Sequence, residues 1–113
     1  MSTITTHVLD TSIGLPAKGI HVQLFVLVHD TIWEEIAGGD TNTDGRVQNL
    51  LPESIKLEKG IYKMSYQTEA YFKSQNIQTF YPYINIVFRI ENELHYHIPL
   101  LLNPFGYSTY RGS

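Results

Sequence analysis

Apolar and polar residues alternate over long stretches of this chain, with the two-residue period of a β-strand that buries one face. The segment 20–29 carries an aliphatic residue at every second position, and the segment 32–37 follows it after a two-residue gap. This spacing predicts a hairpin of two paired strands. The segment 38–45 is rich in residues that tolerate positive φ or hydrogen-bond their own backbone, so it is predicted to be loop.

One short helix interrupts the strand pattern in the second half of the chain. The segment 60–67 is predicted to be a strand. Thr68 follows it and belongs to the residue types that cap helix N-termini. A short helix is therefore predicted from this cap to about Ser74.

The segments 84–91 and 95–102 alternate again, and the polar residues 91–93 between them predict a turn. These two strands are therefore predicted to form a second hairpin. Pro99 indicates an edge position or a bulge in the later strand, because proline cannot donate a ladder hydrogen bond. Turn-bounded strands with one short helix favour an all-β antiparallel sandwich over an α/β fold, in a single domain of residues 1–113.

Composition excludes several classes of function. The net charge is -3 and the basic residues occur singly, so nucleic acid is not an expected partner. The absence of cysteine excludes disulfides and thiolate metal sites. Without a signal-peptide pattern or an apolar run of roughly 20 residues, the protein is expected to be cytoplasmic, with no membrane partner. Its core is small for a monomer, so some aromatic surface is expected to close an oligomer interface.

Histidine and arginine residues are the candidates for chemistry. His95 and His97 are two residues apart on a predicted strand and so project from the same face. His97 is suited to take a proton from water, and the Arg46 guanidinium to stabilise a developing oxyanion. Structural roles, as satisfied imidazoles and a solvated arginine, fit the same residues. A zinc site is a further alternative, in which His7, His95 and His97 leave one position open for water.

Three segments together resemble the transthyretin-like hydrolase family, and the resemblance covers nearly the whole chain. The first is THVLD at 6–10 followed by GLPA at 14–17, and the second is NTDGR at 42–46. The third is the tail, which contains HYHIPL at 95–100 and ends in YRGS at 110–113. The first two are also similar in a general way to the thyroid-hormone-carrier transthyretins, whereas the tail is similar to the hydrolase branch.

The resemblance implies a sandwich of seven or eight strands with one short helix, assembled as a homotetramer that is a dimer of dimers. It also implies active sites in the central channel, without a metal or an organic cofactor. The residues that match the family's catalytic positions are His7, Arg46 and His97. Those that match its substrate-binding positions are His7, Arg46, Tyr110, Arg111 and Ser113.

The reaction implied by the resemblance is hydrolysis of 5-hydroxyisourate in urate degradation. Opening of a ring amide gives 2-oxo-4-hydroxy-4-carboxy-5-ureidoimidazoline. His7 and His97 are expected to position and deprotonate water, while Arg46 and Tyr110 bind the ring oxygens. The alternatives left open are a non-catalytic transthyretin-type carrier of a small ligand, the zinc-dependent hydrolase and a purely structural sandwich.

Overall fold

Most strands lie where the alternation predicts them. The computed structural model describes residues 4–92 and 94–113, in which eight strands and one helix are found. In chain order these are β1 (Ile4–Asp10), β2 (Leu15–Pro16), β3 (His21–His29), β4 (Ile32–Asp40), β5 (Gly60–Tyr66), α1 (Thr68–Lys73), β6 (Ile84–Ile90), β7 (Tyr96–Asn103) and β8 (Gly106–Thr109). No helix in this described part of the chain is long and apolar enough to cross a lipid bilayer.

The strands form two four-stranded sheets, with the orders β2-β1-β7-β8 and β4-β3-β5-β6. Both sheets contribute alternate residues to one core, such as Val8 and Leu100 from the first and Leu24 and Met64 from the second. Burial of each such side chain stabilises the fold by about 1.5–3 kcal/mol. The predicted all-β sandwich with one short helix is confirmed. Among the strand pairs of the described residues, β1–β7 is parallel and the others are antiparallel.

The predicted second hairpin is wrong, because β6 and β7 belong to different sheets. The connection between them crosses the sandwich, and the Tyr96 hydroxyl fastens it by accepting hydrogen bonds from the amides of Glu91 and Asn92. Alternation shows that each strand buries one face, but it does not identify the strand with which each one pairs. Of the predicted turn at 91–93, Glu93 lies outside the described residues.

The hairpin of β3 and β4 is confirmed, but β4 is longer than predicted. It continues to Asp40, and both Gly38 and Gly39 pair with β3. Because β3 offers backbone partners over its whole length, the ladder extends through residue types that favour turns. The loop begins at Thr41, three residues later than the sequence pattern predicts.

The predicted helix is confirmed as α1, but its predicted cap is wrong. Gln67 precedes the helix and makes no capping side-chain hydrogen bond, while Thr68 lies inside the first turn. The Thr68 hydroxyl is buried and has no hydrogen-bond partner among the described residues. At this end of the helix the amide of Glu69 binds the carbonyl oxygen of Pro82 at 3.3 Å, so a tertiary contact replaces part of the cap.

The predicted edge position of Pro99 is wrong as well, because β7 lies between β1 and β8. The ladder between β7 and β8 ends at the pair Leu100–Thr109, just before Pro99. The Pro99 carbonyl then accepts a hydrogen bond of 2.7 Å from the Thr109 hydroxyl. An interior strand tolerates proline at this position because the neighbouring ladder stops there.

Candidate active site

The outer face of the first sheet carries the candidate residues. Buried and partly exposed residues alternate along β1, so Thr5 and His7 point away from the core. His97 occupies the same face of β7. The parallel register pairs Thr5 with His97 and His7 with Pro99. His7 and His97 are therefore diagonal neighbours on adjacent strands, a separation that one small molecule can bridge.

A tight turn at 42–46 places Arg46 beside His7. The Asn42 side-chain oxygen accepts hydrogen bonds from the amides of Asp44 at 2.9 Å and Arg46 at 3.1 Å. The turn closes with a 2.8 Å bond from the Asn42 amide to the Arg46 carbonyl. Arg46 then forms an isolated antiparallel bridge with His7. The guanidinium is thereby presented next to the outer face of β1.

Gly45 allows this turn to approach β1 closely. Its φ is +75°, and its carbonyl accepts a hydrogen bond of 2.8 Å from the amide of Val8. A Cβ on Gly45 would overlap the Val8 carbonyl oxygen. Only glycine combines this left-handed conformation with such a close backbone contact.

The chain end returns to the same face and pairs with β7. The amide of Gly112 donates a 2.9 Å hydrogen bond to the carbonyl of His97. A Cβ on Gly112 would lie 2.5 Å from Cδ2 of the His97 ring. The His97 ring therefore lies between β1 on one side and the tail on the other.

The other predicted tail residues surround this contact. The Arg111 guanidinium stacks over the Tyr96 ring, 4.7 Å from its centroid. Because Tyr96 faces the core and His97 faces outward, this stacking holds the tail from the core side of β7. Tyr110 and Arg111 line, with His97, a cavity of about 220 Å³. Tyr110 and Ser113 are exposed.

A threonine hydroxyl joins His97 on β7 with His95, the residue just before that strand. Thr5 Oγ1 lies 2.8 Å from His97 Nδ1 and 2.9 Å from His95 Nε2. Both distances are those of hydrogen bonds. The prediction that His95 and His97 project from one face is confirmed.

The surroundings of His97 favour its neutral form. Burial lowers the pKa of His97, the positive charge of Arg46 lowers it further, and His7 and His95 act in the same direction. A hydrogen bond with the backbone of Thr5 opposes these effects but does not reverse them. An imidazole that stays neutral below its ordinary pKa range can accept a proton from water at neutral pH.

The structure brings His7, Arg46 and His97 together, as the sequence predicts, and adds residues that sequence reasoning missed. These are Thr5, which contacts His97, and Asn42, which shapes the turn. Thr5 is two residues before His7 and therefore on the same strand face, a signal that becomes informative only once β7 is known to lie beside β1. Among the described residues, no three His, Cys, Asp or Glu side chains are grouped to hold a metal ion. The zinc alternative gains no support from this arrangement.

Two packed sheets with an imidazole and guanidinium cluster on an outer face define a transthyretin-like sandwich with a polar site. The sequence pattern of the HIUase/Transthyretin family matches residues 4–112. The chain belongs to the HIUase/Transthyretin family, which confirms the resemblance found in the sequence.

The similar proteins include 5-hydroxyisourate hydrolases and a transthyretin. The 5-hydroxyisourate hydrolase of Mus musculus is 46% identical over 114 residues, covering 99% of this chain and 96% of the mouse protein. The structure of 5-hydroxyisourate hydrolase from Klebsiella pneumoniae is 36% identical, with a TM-score of 0.86 over 99% of this chain and 100% of that chain. Sea bream transthyretin, solved in complex with thyroxine, is 30% identical, with a TM-score of 0.91 over 98% of this chain and 95% of that chain. The backbone fold is thus shared by 5-hydroxyisourate hydrolases and transthyretin, so the fold alone does not identify the function.

Proposed function

We propose that this protein hydrolyses 5-hydroxyisourate to 2-oxo-4-hydroxy-4-carboxy-5-ureidoimidazoline. The observation that carries the proposal is the convergence of His7, Arg46 and His97 on one outer face. The similarity to the 5-hydroxyisourate hydrolases of mouse and Klebsiella pneumoniae supports the proposal.

The proposed reaction begins with removal of a proton from water by neutral His97. The water oxygen forms a bond to a ring carbonyl carbon, and the ring C–N bond breaks in the following step. The proton held by the imidazole then passes to the departing ring nitrogen, so no other reactant is consumed. His7 orients the water, and the Arg46 guanidinium stabilises the negative charge that develops on the carbonyl oxygen.

Tyr110, Arg111 and Ser113 complete the proposed site as substrate-binding residues. The substrate is planar and dense in carbonyl and N–H groups, which suits hydroxyl donors and a guanidinium. Tyr110 lies in the tail beside His97 and lines a cavity with that residue, but His7 and Arg46 do not line this cavity. Arg111 contributes at least through its stacking on Tyr96, which keeps the tail beside His97. The proposed chemistry requires neither a metal nor an organic cofactor.

We also propose that the protein works as a homotetramer, a dimer of dimers. β6 and β8 are edge strands, each at one end of its sheet. Strands in that position offer backbone groups for pairing with a second copy. Val87 on β6 and Tyr107 on β8 are 57% and 42% exposed, which leaves apolar surface for such an interface. Sedimentation equilibrium tests the assembly directly, because only a mass of four chains agrees with it.

Ligand carriage without turnover is the second candidate function. It is favoured by the likeness to sea bream transthyretin in complex with thyroxine. The imidazoles and the guanidinium argue against it, because an apolar ligand would have to desolvate them without replacing their hydrogen bonds.

The experiment that tests the proposal is the decay of 5-hydroxyisourate, generated in place by urate oxidase and followed by ultraviolet absorbance. The protein is first treated with a chelator and dialysed. Accelerated decay that persists after chelation supports a hydrolase without a metal. Acceleration that chelation abolishes and zinc restores favours the zinc alternative, and no acceleration by folded protein favours the carrier.

A further inference from the structure

The hydroxyl of Thr5 has one proton and faces two imidazole nitrogens. It lies within hydrogen-bond distance of both His97 Nδ1 and His95 Nε2. A single hydroxyl proton can serve only one of these nitrogens, so the other nitrogen must donate its own proton to Thr5 Oγ1. The two imidazoles therefore cannot choose their protonated nitrogens independently.

Three arrangements satisfy this rule when both rings are neutral. In two of them the hydroxyl donates to one nitrogen, and in the third both nitrogens donate to the two lone pairs of Oγ1. In the first, His97 Nδ1–H donates to Thr5, and the Thr5 hydroxyl donates to His95 Nε2. This leaves the lone pair of His97 on Nε2, where it is free to accept a proton. In the second, the hydroxyl donates to His97 Nδ1, so the neutral His97 ring carries its proton on Nε2. The first and third arrangements, in which His97 Nδ1–H donates to Thr5, leave His97 Nε2 free to act as a base.

We propose that Thr5 and His95 are positioning residues that fix His97 in the tautomer with its proton on Nδ1. The inference rests on the proposed function for its catalytic consequence, although the tautomer itself is independent of substrate. The Thr5 side chain is held in place because its backbone pairs with His97 across the parallel ladder. A hydrogen-bonded partner that sets the tautomer of a catalytic histidine is a general device in enzymes.

His95 takes part in this arrangement as the second imidazole within hydrogen-bond distance of the Thr5 hydroxyl. The other titratable or charged groups around His97 are His7 on β1, Arg46 on the turn, and Tyr110 and Arg111 on the tail. None of them contacts Thr5 Oγ1 among the hydrogen bonds of the described residues.

The test combines nitrogen NMR of the histidines with kinetics of 5-hydroxyisourate decay, on the full chain. Thr5→Val keeps the shape of the side chain but removes the hydroxyl, Thr5→Ser restores the hydroxyl, and His95→Phe removes the acceptor. The nitrogen chemical shifts of wild type should show His97 protonated on Nδ1, and Thr5→Ser should show the same. Thr5→Val and His95→Phe should both populate the Nε2–H tautomer.

The turnover rate should be high in variants that keep His97 protonated on Nδ1 and lower in variants that do not. We expect kcat to fall by about tenfold in Thr5→Val, the size of effect that one hydrogen bond produces, with KM little changed and with recovery in Thr5→Ser. If His97 of the wild type is protonated on Nε2 at neutral pH, the proposed positioning by Thr5 and His95 is wrong, even if the protein turns over substrate. An Nδ1–H tautomer that both Thr5→Val and His95→Phe leave unchanged would overturn it as well. The wild type could instead show the expected Thr5-dependent tautomer but no turnover. That result would count against the proposed function and would still support the positioning of His97 by Thr5 and His95.

Discussion

Gly112 lies against the ring of His97, with space for a hydrogen atom but not for a methyl group. A Cβ at Gly112 would be 2.5 Å from His97 Cδ2 and 3.1 Å from Cγ. The same two residues are joined by the 2.9 Å backbone hydrogen bond that docks the tail. The orientation of the His97 ring and the position of the tail are thus coupled through this contact.

Gly112→Ala should therefore reduce activity strongly while leaving the fold intact. Either the tail or the ring must shift, and a displacement of about 1 Å in an active site can cost about a hundredfold in rate. Steady-state kinetics and a melting curve measure the two effects separately. Gly106→Ala is the matched control, because a Cβ at Gly106 has no neighbour closer than 3.7 Å. Equal activity in the two variants would contradict the role given to the contact.

His97→Ala should lower kcat by about a hundredfold or more, as expected for loss of a general base. The fold should persist, because His97 is only partly buried on the outer face. His21→Ala is the control, since His21 is an exposed residue of the other sheet that pairs with Asp40 at 2.8 Å. A His97→Ala variant with full activity would remove His97 from the mechanism.

The rate should fall on the acid side only at a pH below the ordinary range of histidine. Burial, followed by the charge of Arg46, lowers the pKa of His97, so its basic form persists as pH falls. Arg46→Gln should raise that pKa, because it removes the second of these causes. Proton NMR titration of His97 in wild type and in Arg46→Gln checks the sign. A pKa that stays constant or falls in the variant would show that Arg46 does not act on His97 through its charge.

Asn42→Ala should impair catalysis without removing any group that contacts substrate. The Asn42 side chain orders the amides of Asp44 and Arg46, so its loss should let the guanidinium move. We expect kcat/KM to fall by about tenfold, because the variant loses both organising hydrogen bonds and each contributes about 0.5–1.5 kcal/mol. Asp44→Ala changes an exposed side chain of the same turn and should stay close to wild type. If both variants have the same activity, Arg46 is positioned by the turn as a whole and not by the Asn42 side chain.

Tyr71→Phe should destabilise the fold by about 1–3 kcal/mol at neutral pH, because it leaves a buried carboxylate with one donor fewer. The Tyr71 hydroxyl donates a 2.8 Å hydrogen bond to Asp10, which is 1% exposed. Burial and the hydrogen bond to Asp10 raise the pKa of Tyr71 to about 12. A raised folded-state pKa contributes stability below the unfolded-state value near 10, and this contribution is lost as pH rises toward about 12. Urea unfolding at several pH values measures the free energy of unfolding of wild type and variant. The difference between the two should narrow as pH rises from 10 to about 12, and a constant difference would contradict this linkage.

Local patterns in the sequence were sufficient for the strands and the helix but not for their pairing. The alternation in 84–90 and in 96–102 predicts two strands correctly, yet the same alternation is compatible with a hairpin or with two sheets. The connection between β6 and β7 depends on contacts such as that between Tyr96 and Glu91, which a periodicity does not reveal. In the same way, Gly38 and Gly39 favour turns by themselves and become strand only because β3 offers them partners.

In the candidate site, too, some residues could be predicted from the sequence and others only from the fold. His7, Arg46 and His97 are found from residue types and from the family resemblance, because their chemistry is visible in the sequence. Thr5 has no such chemistry, and its importance arises only where the parallel register places its hydroxyl beside two imidazoles. Arg111 was expected to bind substrate, and this stays a prediction; its stacking on Tyr96 could not be anticipated without the fold.

The parallel pairing of β1 with β7 also bears on how the protein folds. Thr5 and His97 are 92 positions apart in the chain, so nearly the whole sequence is enclosed in the loop that their contact closes. Loops of this length are entropically costly to close, and contacts between distant residues slow the folding of small domains. During synthesis β1 emerges early and must wait for β7, whereas the hairpin of β3 and β4 can form from its own residues. The site is therefore expected to assemble in a late folding step, and recovery of activity after dilution from denaturant should lag behind recovery of the signal from Trp33 on that hairpin.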